Sequence, residues 1–213
     1  MVLNNQRKNV DPLLSKMAKS FTSVNPNVLS WFSLIFAVVA GLFFFFSSPE
    51  TELFNFYLCG ASIFVFLNGF FDAIDGKVAK LTNKTSDLGD FLDHALDRYA
   101  DVFIVGGLAL GGWGDLKIGF IAIIGMLLTS YMGTQAQAIG YKRNYSGLLG
   151  RADRLVLLMI APILQHILLV VNIQTIYIFN LLQWILIYFA IVGNLTAIQR
   201  FYCTLRWFKE KKG

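Results

Sequence analysis

Charge is what this sequence has least of. Only 15% of its 213 residues are Asp, Glu, Lys or Arg, against about a quarter in soluble domains. Hydrophobic residues make up 56%, and twenty are Phe. Apolar runs of roughly eighteen residues or more recur along the chain, which excludes a soluble domain with a large core and reads as an integral membrane protein of one domain. Cysteine is down to Cys59 and Cys203, near opposite ends of their helices, so no intrachain disulfide is expected. The two histidines, His94 and His166, have no partner at ligand spacing, and both read as packing or local hydrogen-bonding residues. No apolar segment begins before about Pro26, so a cleaved signal peptide is not expected. The net charge of +5 does not point to nucleic acid, because the basic residues gather at helix ends, the pattern set by membrane orientation and anionic lipid.

What is present is a series of apolar segments with polar punctuation. Residues 1–25 form a polar, basic arm in which Val10 to Phe21 fits either a short amphipathic surface helix or a loose arm. Asn25-Pro26 caps a first span to about Phe46, and Pro49, Glu50 and Glu52 mark a short loop. Further spans are predicted at about Phe54–Lys80, Asp87–Leu110, Ile118–Ile139, Leu155–Val171 (with a kink at Pro162) and Gln174–Tyr202. Residues 26–203 would then be the membrane domain and 204–213 a basic tail. The arm, the loop in the 80s, the 140–154 loop and the tail hold nearly all eighteen Lys and Arg, and the opposite side only Lys117. The expected fold is therefore all-α, with six transmembrane helices, both termini cytoplasmic and a polar cavity on the cytoplasmic side of the cell membrane. The sequence leaves a monomer and a homodimer equally open.

The acidic residues are few and unevenly spread. Seven of thirteen (Asp72, Asp75, Asp87, Asp90, Asp93, Asp97 and Asp101) fall between positions 72 and 101. Ionisable groups in spanning segments cost a few kcal/mol each and mark function by default. Asp72 and Asp75 are spaced i, i+3 and Asp93 and Asp97 i, i+4, so each pair shares a helix face. Thr82 to Ser86 reads as a tight helix–helix connection, with Ser86 or Asp87 as the next N-cap. Asp75 lies eight residues before Asn83 and Asp93 ten after it, which puts the pairs at similar depth in an antiparallel hairpin. Four carboxylates at one depth repel each other unless cations neutralise them, and oxygen-only ligands suit Mg²⁺, Mn²⁺ or Ca²⁺. Gly76 and Gly89 keep side chains away from the acids, and Ala79 keeps the same face shallow.

Asp72-x2-Asp75-Gly76-x2-Ala79-Lys80-x8-Gly89-x3-Asp93-x3-Asp97 resembles the signature of the CDP-alcohol phosphotransferase family, with Lys80 in place of the usual Arg. Lysine keeps the charge but loses the bidentate fork. The resemblance implies a membrane transferase that passes a phosphatidyl-type group from a CDP-lipid to an alcohol and releases CMP. It implies Asp72, Asp75, Asp93 and Asp97 as ligands of Mg²⁺ or Mn²⁺, two ions in all. Asp97 would also be the general base. Gly76, Ala79, Lys80 and Gly89 would face the CDP-lipid.

A second stretch, Gly150-Arg151-Ala152-Asp153-Arg154-Leu155, puts two arginines at i, i+3 on the side of the aspartates, where Arg200 also falls. Orientation in the membrane would account for some of this charge, yet arginine near a phosphate-handling site favours an oxyanion pocket. Within the family this stretch, the late Arg200 and the run Gly133 to Ala138 resemble the archaeal inositol-phosphate-using members. The Gly-Lys-x-Lys-Thr run expected of glycerol-phosphate users is missing. The resemblance thus implies an archaeol-type CDP-lipid donor and a myo-inositol 1-phosphate acceptor whose phosphate sits on Arg151, Arg154 and Arg200, with Lys142 and Arg143 as weaker candidates. The alternatives are glycerol 3-phosphate or serine as acceptor and, from another class, a cation transporter. A transporter would need polar residues through the outer half of the bilayer, which Phe54–Phe66 and Val102–Leu110 do not obviously supply.

Overall fold

The computed structural model describes residues 7–49, 55–141 and 147–212. Lys142, Arg143, Glu50 and Glu52 lie outside the described residues. The elements are all helical: α1 (Arg7–Ala18), α2 (Pro26–Phe46), α3 (Phe56–Leu81), α4 (Asp87–Leu110), α5 (Leu116–Ala138), α6 (Arg151–Val170) and α7 (Leu181–Lys212). A short 3-10 turn, Lys19–Phe21, follows α1.

The helix starts are set by side chains that satisfy open backbone N–H groups. The Asn25 side chain accepts from the Asn27 N–H, and Pro26 supplies a first residue that needs no donor. Ser86 accepts from Gly89, with Asp87 and Asp90 in the first turn, where the helix dipole favours negative charge. Asp115 accepts from Ile118 at 2.9 Å. Two starts differ from those expected. α6 begins at Arg151 rather than Leu155, because the Asp153 carboxylate turns back to accept the Gly150 N–H at 3.0 Å. α7 begins at Leu181 rather than Gln174, because Asn180 and Gln183 cap each other reciprocally, at 2.8 and 3.1 Å. Residues 174–180 lie outside the helix instead, with a tight turn at 176–179 closed by a bridge between Ile176 and Phe179. At its other end α7 does not stop near Tyr202 but carries the basic tail on as helix to Lys212. Pro162 falls inside α6 without ending it.

The six long helices alternate in direction. Along the α2–α3 pair, Ser30 meets Asp75, Ser33 meets Asn68 and Phe43 meets Gly60, an antiparallel register. α3 and α6 are likewise antiparallel, through Asp72–Arg151 and the hydrogen bond from Ser62 Oγ to the Met159 carbonyl. α2 and α4 run parallel and so close that a Cβ on Gly107 would stand 2.1 Å from the Gly41 carbonyl oxygen. Only glycine at both positions permits that approach.

Five helices (α2, α3, α5, α6 and α7) have the length and mean hydropathy to cross a membrane, and their outward faces expose Trp31, Phe46, Ile63, Phe66, Phe120 and Ile191. This is an integral membrane protein, since such apolar surface is unsuited to water. α4 lacks that hydropathy because it carries five aspartates and Arg98, yet it follows α2 from Asn27 beside Gly89 to Phe44 beside Gly111. Its 24 residues therefore reach the depth that α2 reaches.

The interior divides in two. At one end Phe44, Leu58, Leu108, Trp113, Leu186 and Phe189 form a buried apolar core, with the Trp113 indole N–H donating to Ser47 Oγ at 2.8 Å. At the other end, where α2, α4 and α6 start and α3, α5 and α7 finish, lie the acids and arginines. Every buried charged side chain among the described residues (Asp75, Asp97, Asp101, Arg154 and Arg200) belongs to that end.

Candidate active site

The last turns of α3 and the first turns of α4 are joined by Thr82–Ser86, with Asn83 at a positive φ of 55° that lets the chain reverse. The reversal brings Asp72, Asp75 and Asp93 together, with one carboxylate oxygen from each within 4.8 Å of the others. Asp75 is buried between α2 and α3, and its Oδ2 accepts from Ser30 Oγ at 2.5 Å. Asp72 and Asp93 are half-buried. On α4, His94 Nδ1 stands 3.3 Å from Asp93 Oδ2.

The chemistry of this donor set fits a hard divalent cation. All three donors are carboxylate oxygens, from two helices whose positions are fixed by the hairpin. A small, oxygen-preferring ion such as Mg²⁺ or Mn²⁺ suits such a set better than a thiolate- or imidazole-seeking one.

Asp97 lies one turn further along α4, outside this trio, and is held by two guanidinium groups. Arg151 Nη2 is 2.5 Å from its Oδ1 and Arg98 Nη2 3.0 Å from its Oδ2. Arg151 also donates through Nη1 to Asp72 Oδ2 at 2.6 Å. Deeper still, Asp101 lies 3.1 Å from Arg154 Nη2 and 3.7 Å from Arg98 Nη1. Charges of alternating sign therefore run from α3 through α6 to α4 and back. This arrangement spares each buried ion the cost of lying unpaired in a low dielectric. Arg200 is buried on α7 and donates to the Thr129 carbonyl of α5 at 2.7 Å. Of the three arginines singled out in the sequence, Arg151 reaches the acid group directly and Arg154 follows one turn deeper. Arg200 stands on the α5–α7 side.

The remaining motif residues spread along the same surface. A Cβ on Gly76 would meet nothing within 4 Å, so the space beside Asp75 is open at that point. Gly89 faces Ser86 Oγ and Asn27 Oδ1 at ordinary contact distance. Ala79 is half-buried, and Lys80 is exposed on the last turn of α3. Its neighbour Lys77 ties α3 to α1 through Asp11 at 2.6 Å and Ser15 at 3.0 Å.

Residues 23–196 match the family model of CDP-alcohol phosphatidyltransferases. The chain belongs to that family. Among CDP-alcohol phosphatidyltransferases it is 30% identical over 203 residues to the archaetidylinositol phosphate synthase of Pyrococcus horikoshii, covering 94% of this chain and 95% of the other. It is 35% identical over 130 residues to the phosphatidylinositol phosphate synthase of Streptomyces avermitilis, covering 58% of this chain and 50% of that one. Its fold matches the crystal structure of the Mycobacterium tuberculosis phosphatidylinositol phosphate synthase with CDP-DAG bound. The TM-score is 0.69 at 19% identity, covering 91% of this chain and 94% of that chain. The same enzyme in complex with manganese and citrate matches equally well, at 0.69, covering 90% and 88%.

For this CDP-alcohol phosphatidyltransferase, two features of the site were not foreseen from the sequence. Ser30 gives no signal, being one serine in an apolar helix. The Asp101–Arg154 pair joins residues far apart in the chain. His94, read as a packing or local hydrogen-bonding residue, lies beside its neighbours Asp93 and Asp90. Cys59 and Cys203 are free thiols, as the sequence implied.

Proposed function

We propose that this protein transfers a phosphatidyl-type group, in archaeol form, from a CDP-lipid to a hydroxyl of myo-inositol 1-phosphate and releases CMP. The observation that carries this reading is Arg151 lying against both Asp72 and Asp97. One guanidinium adjoins the carboxylates expected to serve the donor pyrophosphate and begins the helix whose arginines suit an acceptor phosphate. The archaetidylinositol and phosphatidylinositol phosphate synthases among the relatives support the same acceptor.

Asp72, Asp75 and Asp93 would hold the divalent cation, and Asp97 would complete the set for a second. Bound there, such ions neutralise pyrophosphate charge and ease departure of the nucleotide. The chain's own residues do the rest. Gly76 leaves room beside Asp75 for the nucleotide phosphates, and Lys80 adds a point charge at the mouth. Arg151, Arg154 and Arg200 orient the acceptor through its phosphate. Asp97 takes the proton from the acceptor hydroxyl. The freed oxygen bonds to the lipid-bearing phosphorus, the bond from that phosphorus to the bridging oxygen breaks, and CMP leaves with the electron pair. Since every residue named lies on one chain, the reading holds for a monomer or a homodimer.

In the membrane, α4 would be the sixth crossing, with the acids facing a polar cavity on the cytoplasmic side of the cell membrane and both termini in the cytoplasm. The distribution of Lys and Arg supports this orientation. A cation transporter is disfavoured by the apolar core that fills the other half of the bundle.

The deciding experiment incubates purified protein with a CDP-lipid, Mn²⁺ or Mg²⁺ and each candidate acceptor, and measures CMP release. CMP release with inositol phosphate in preference to inositol, glycerol 3-phosphate and serine is the expected result. Preference for any other acceptor would overturn the inositol-phosphate assignment.

A further inference from the structure

We infer that Ser30 is a positioning residue for Asp75, fixing the orientation of that carboxylate in the cation site it shares with Asp72 and Asp93. The inference rests on reading those three aspartates as a divalent-cation site.

Ser30 lies on α2, one turn after the Asn25 cap, and is buried against α3. Its hydroxyl has one proton and two acceptors in reach: Asp75 Oδ2 at 2.5 Å and the Pro26 carbonyl at 3.3 Å. The shorter contact falls in the range of roughly 2.5–2.7 Å for a hydroxyl donating to an ionised oxygen. The proton is therefore committed to the carboxylate. An aspartate on a helix can rotate about its last torsion, presenting either oxygen to its neighbours. The bond from Ser30 stops that rotation. It leaves Oδ1 as the oxygen without this bond, on a residue only 5% exposed.

The contact is not needed to hold the two helices together. One turn along, Ser33 Oγ donates to the Asn68 carbonyl at 3.0 Å, and Asn68 Nδ2 donates back to the Ser33 carbonyl at 3.0 Å and hydroxyl at 2.8 Å. Those bonds set the α2–α3 register without Ser30. The hydroxyl at position 30 is thus aimed at a carboxylate in an interface already fixed by others. Partners of this kind set the orientation of metal ligands, and losing one typically weakens metal binding about ten- to a hundredfold.

The test is a Mn²⁺ titration of the purified full chain in detergent, followed by electron paramagnetic resonance without substrate. Ser30→Ala is expected to raise the Mn²⁺ dissociation constant about ten- to a hundredfold with little change in melting temperature. Ser30→Thr, which keeps the hydroxyl, should restore near-normal affinity. Ser33→Ala should lower the melting temperature and leave Mn²⁺ affinity unchanged. Unaltered affinity in Ser30→Ala overturns the inference, as does an equal loss in Ser33→Ala, which would make the effect one of packing. Asp93→Asn separates the two levels of the argument. If it abolishes binding while Ser30→Ala binds Mn²⁺ as tightly as wild type, the positioning role alone fails. If wild type and Asp93→Asn bind Mn²⁺ alike, the cation site fails and the inference with it.

Discussion

Arg151 donates to Asp72 at 2.6 Å, a contact between residues 79 apart in sequence that joins the first turn of α6 to the later turns of α3. It is the one described ion pair that links α6 to the carboxylate trio. Arg151→Gln should therefore disturb both substrates. Acceptor kcat/KM is expected to fall about ten- to a hundredfold, the equivalent of one charge-assisted hydrogen bond of roughly 1.5–3 kcal/mol. Donor KM should rise as well, because Asp72 loses its partner. Steady-state kinetics varying each substrate in turn would show it, and an unchanged donor KM would separate Arg151 from the acid group.

Arg154 and Arg200 are buried away from that trio, on Asp101 and on the Thr129 carbonyl. Their conservative variants Arg154→Lys and Arg200→Lys should lower acceptor kcat/KM with the donor KM hardly moved. Unphosphorylated inositol, which has no phosphate to lose, should be a poor substrate for wild type and no worse for the variants. Equal use of inositol and its phosphate by wild type would remove the phosphate pocket.

Three carboxylates stand within reach of one ion, and the proposed function makes activity depend on that ion. Excess EDTA should abolish CMP release, and added Mn²⁺ or Mg²⁺ should restore it. Asp93→Asn replaces an anionic donor by a neutral one and should remove turnover even at high metal. Full turnover in EDTA would contradict the metal reading.

Lys80 is exposed at the end of α3, free of the packing that would make its replacement structural. Lys80→Arg should be tolerated, since charge is kept and a fork gained. Lys80→Ala should raise the KM for CDP-lipid at unchanged melting temperature. A donor KM equal to wild type would take Lys80 out of the site.

Gly107→Val tests the scaffold. Its side chain would be driven into the Gly41 backbone, which has no rotamer by which to yield. The expected result is destabilisation of at least about 1–3 kcal/mol, read as a lower melting temperature or lost folded yield in detergent. Normal stability would mean that α2 and α4 can separate at little cost.

Much of this was legible in the chain before folding. Asn25-Pro26 and Ser86 announce their helices because a cap acts on backbone two or three residues away. The hairpin between Asp75 and Asp93 could be counted out for the same reason, since helical rise is constant. The α6 and α7 starts were misplaced because hydropathy marked them, whereas Asp153 and the Asn180–Gln183 pair decide them through side-chain hydrogen bonds. The partners of Asp97 were hidden for another reason. Arg98 is adjacent in sequence, but Arg151 arrives on a helix whose neighbour no local pattern names. Ser30 was invisible for the same cause, because its meaning lies in what α3 sets opposite it.

α7 is one unbroken helix of 32 residues, about 48 Å of rod at 1.5 Å per residue, where a hydrocarbon layer is about 30 Å thick. Its far end therefore stands clear of the acid-bearing face, and on it the Trp207 ring packs against Tyr141 at 5.0 Å between centroids, tilted by 41°. A probe attached near Phe208 through a short, rigid tether would ride on that rod. It would turn with the whole molecule, so a fluorophore or spin label there becomes a pointer whose tilt reports how the enzyme sits in its bilayer.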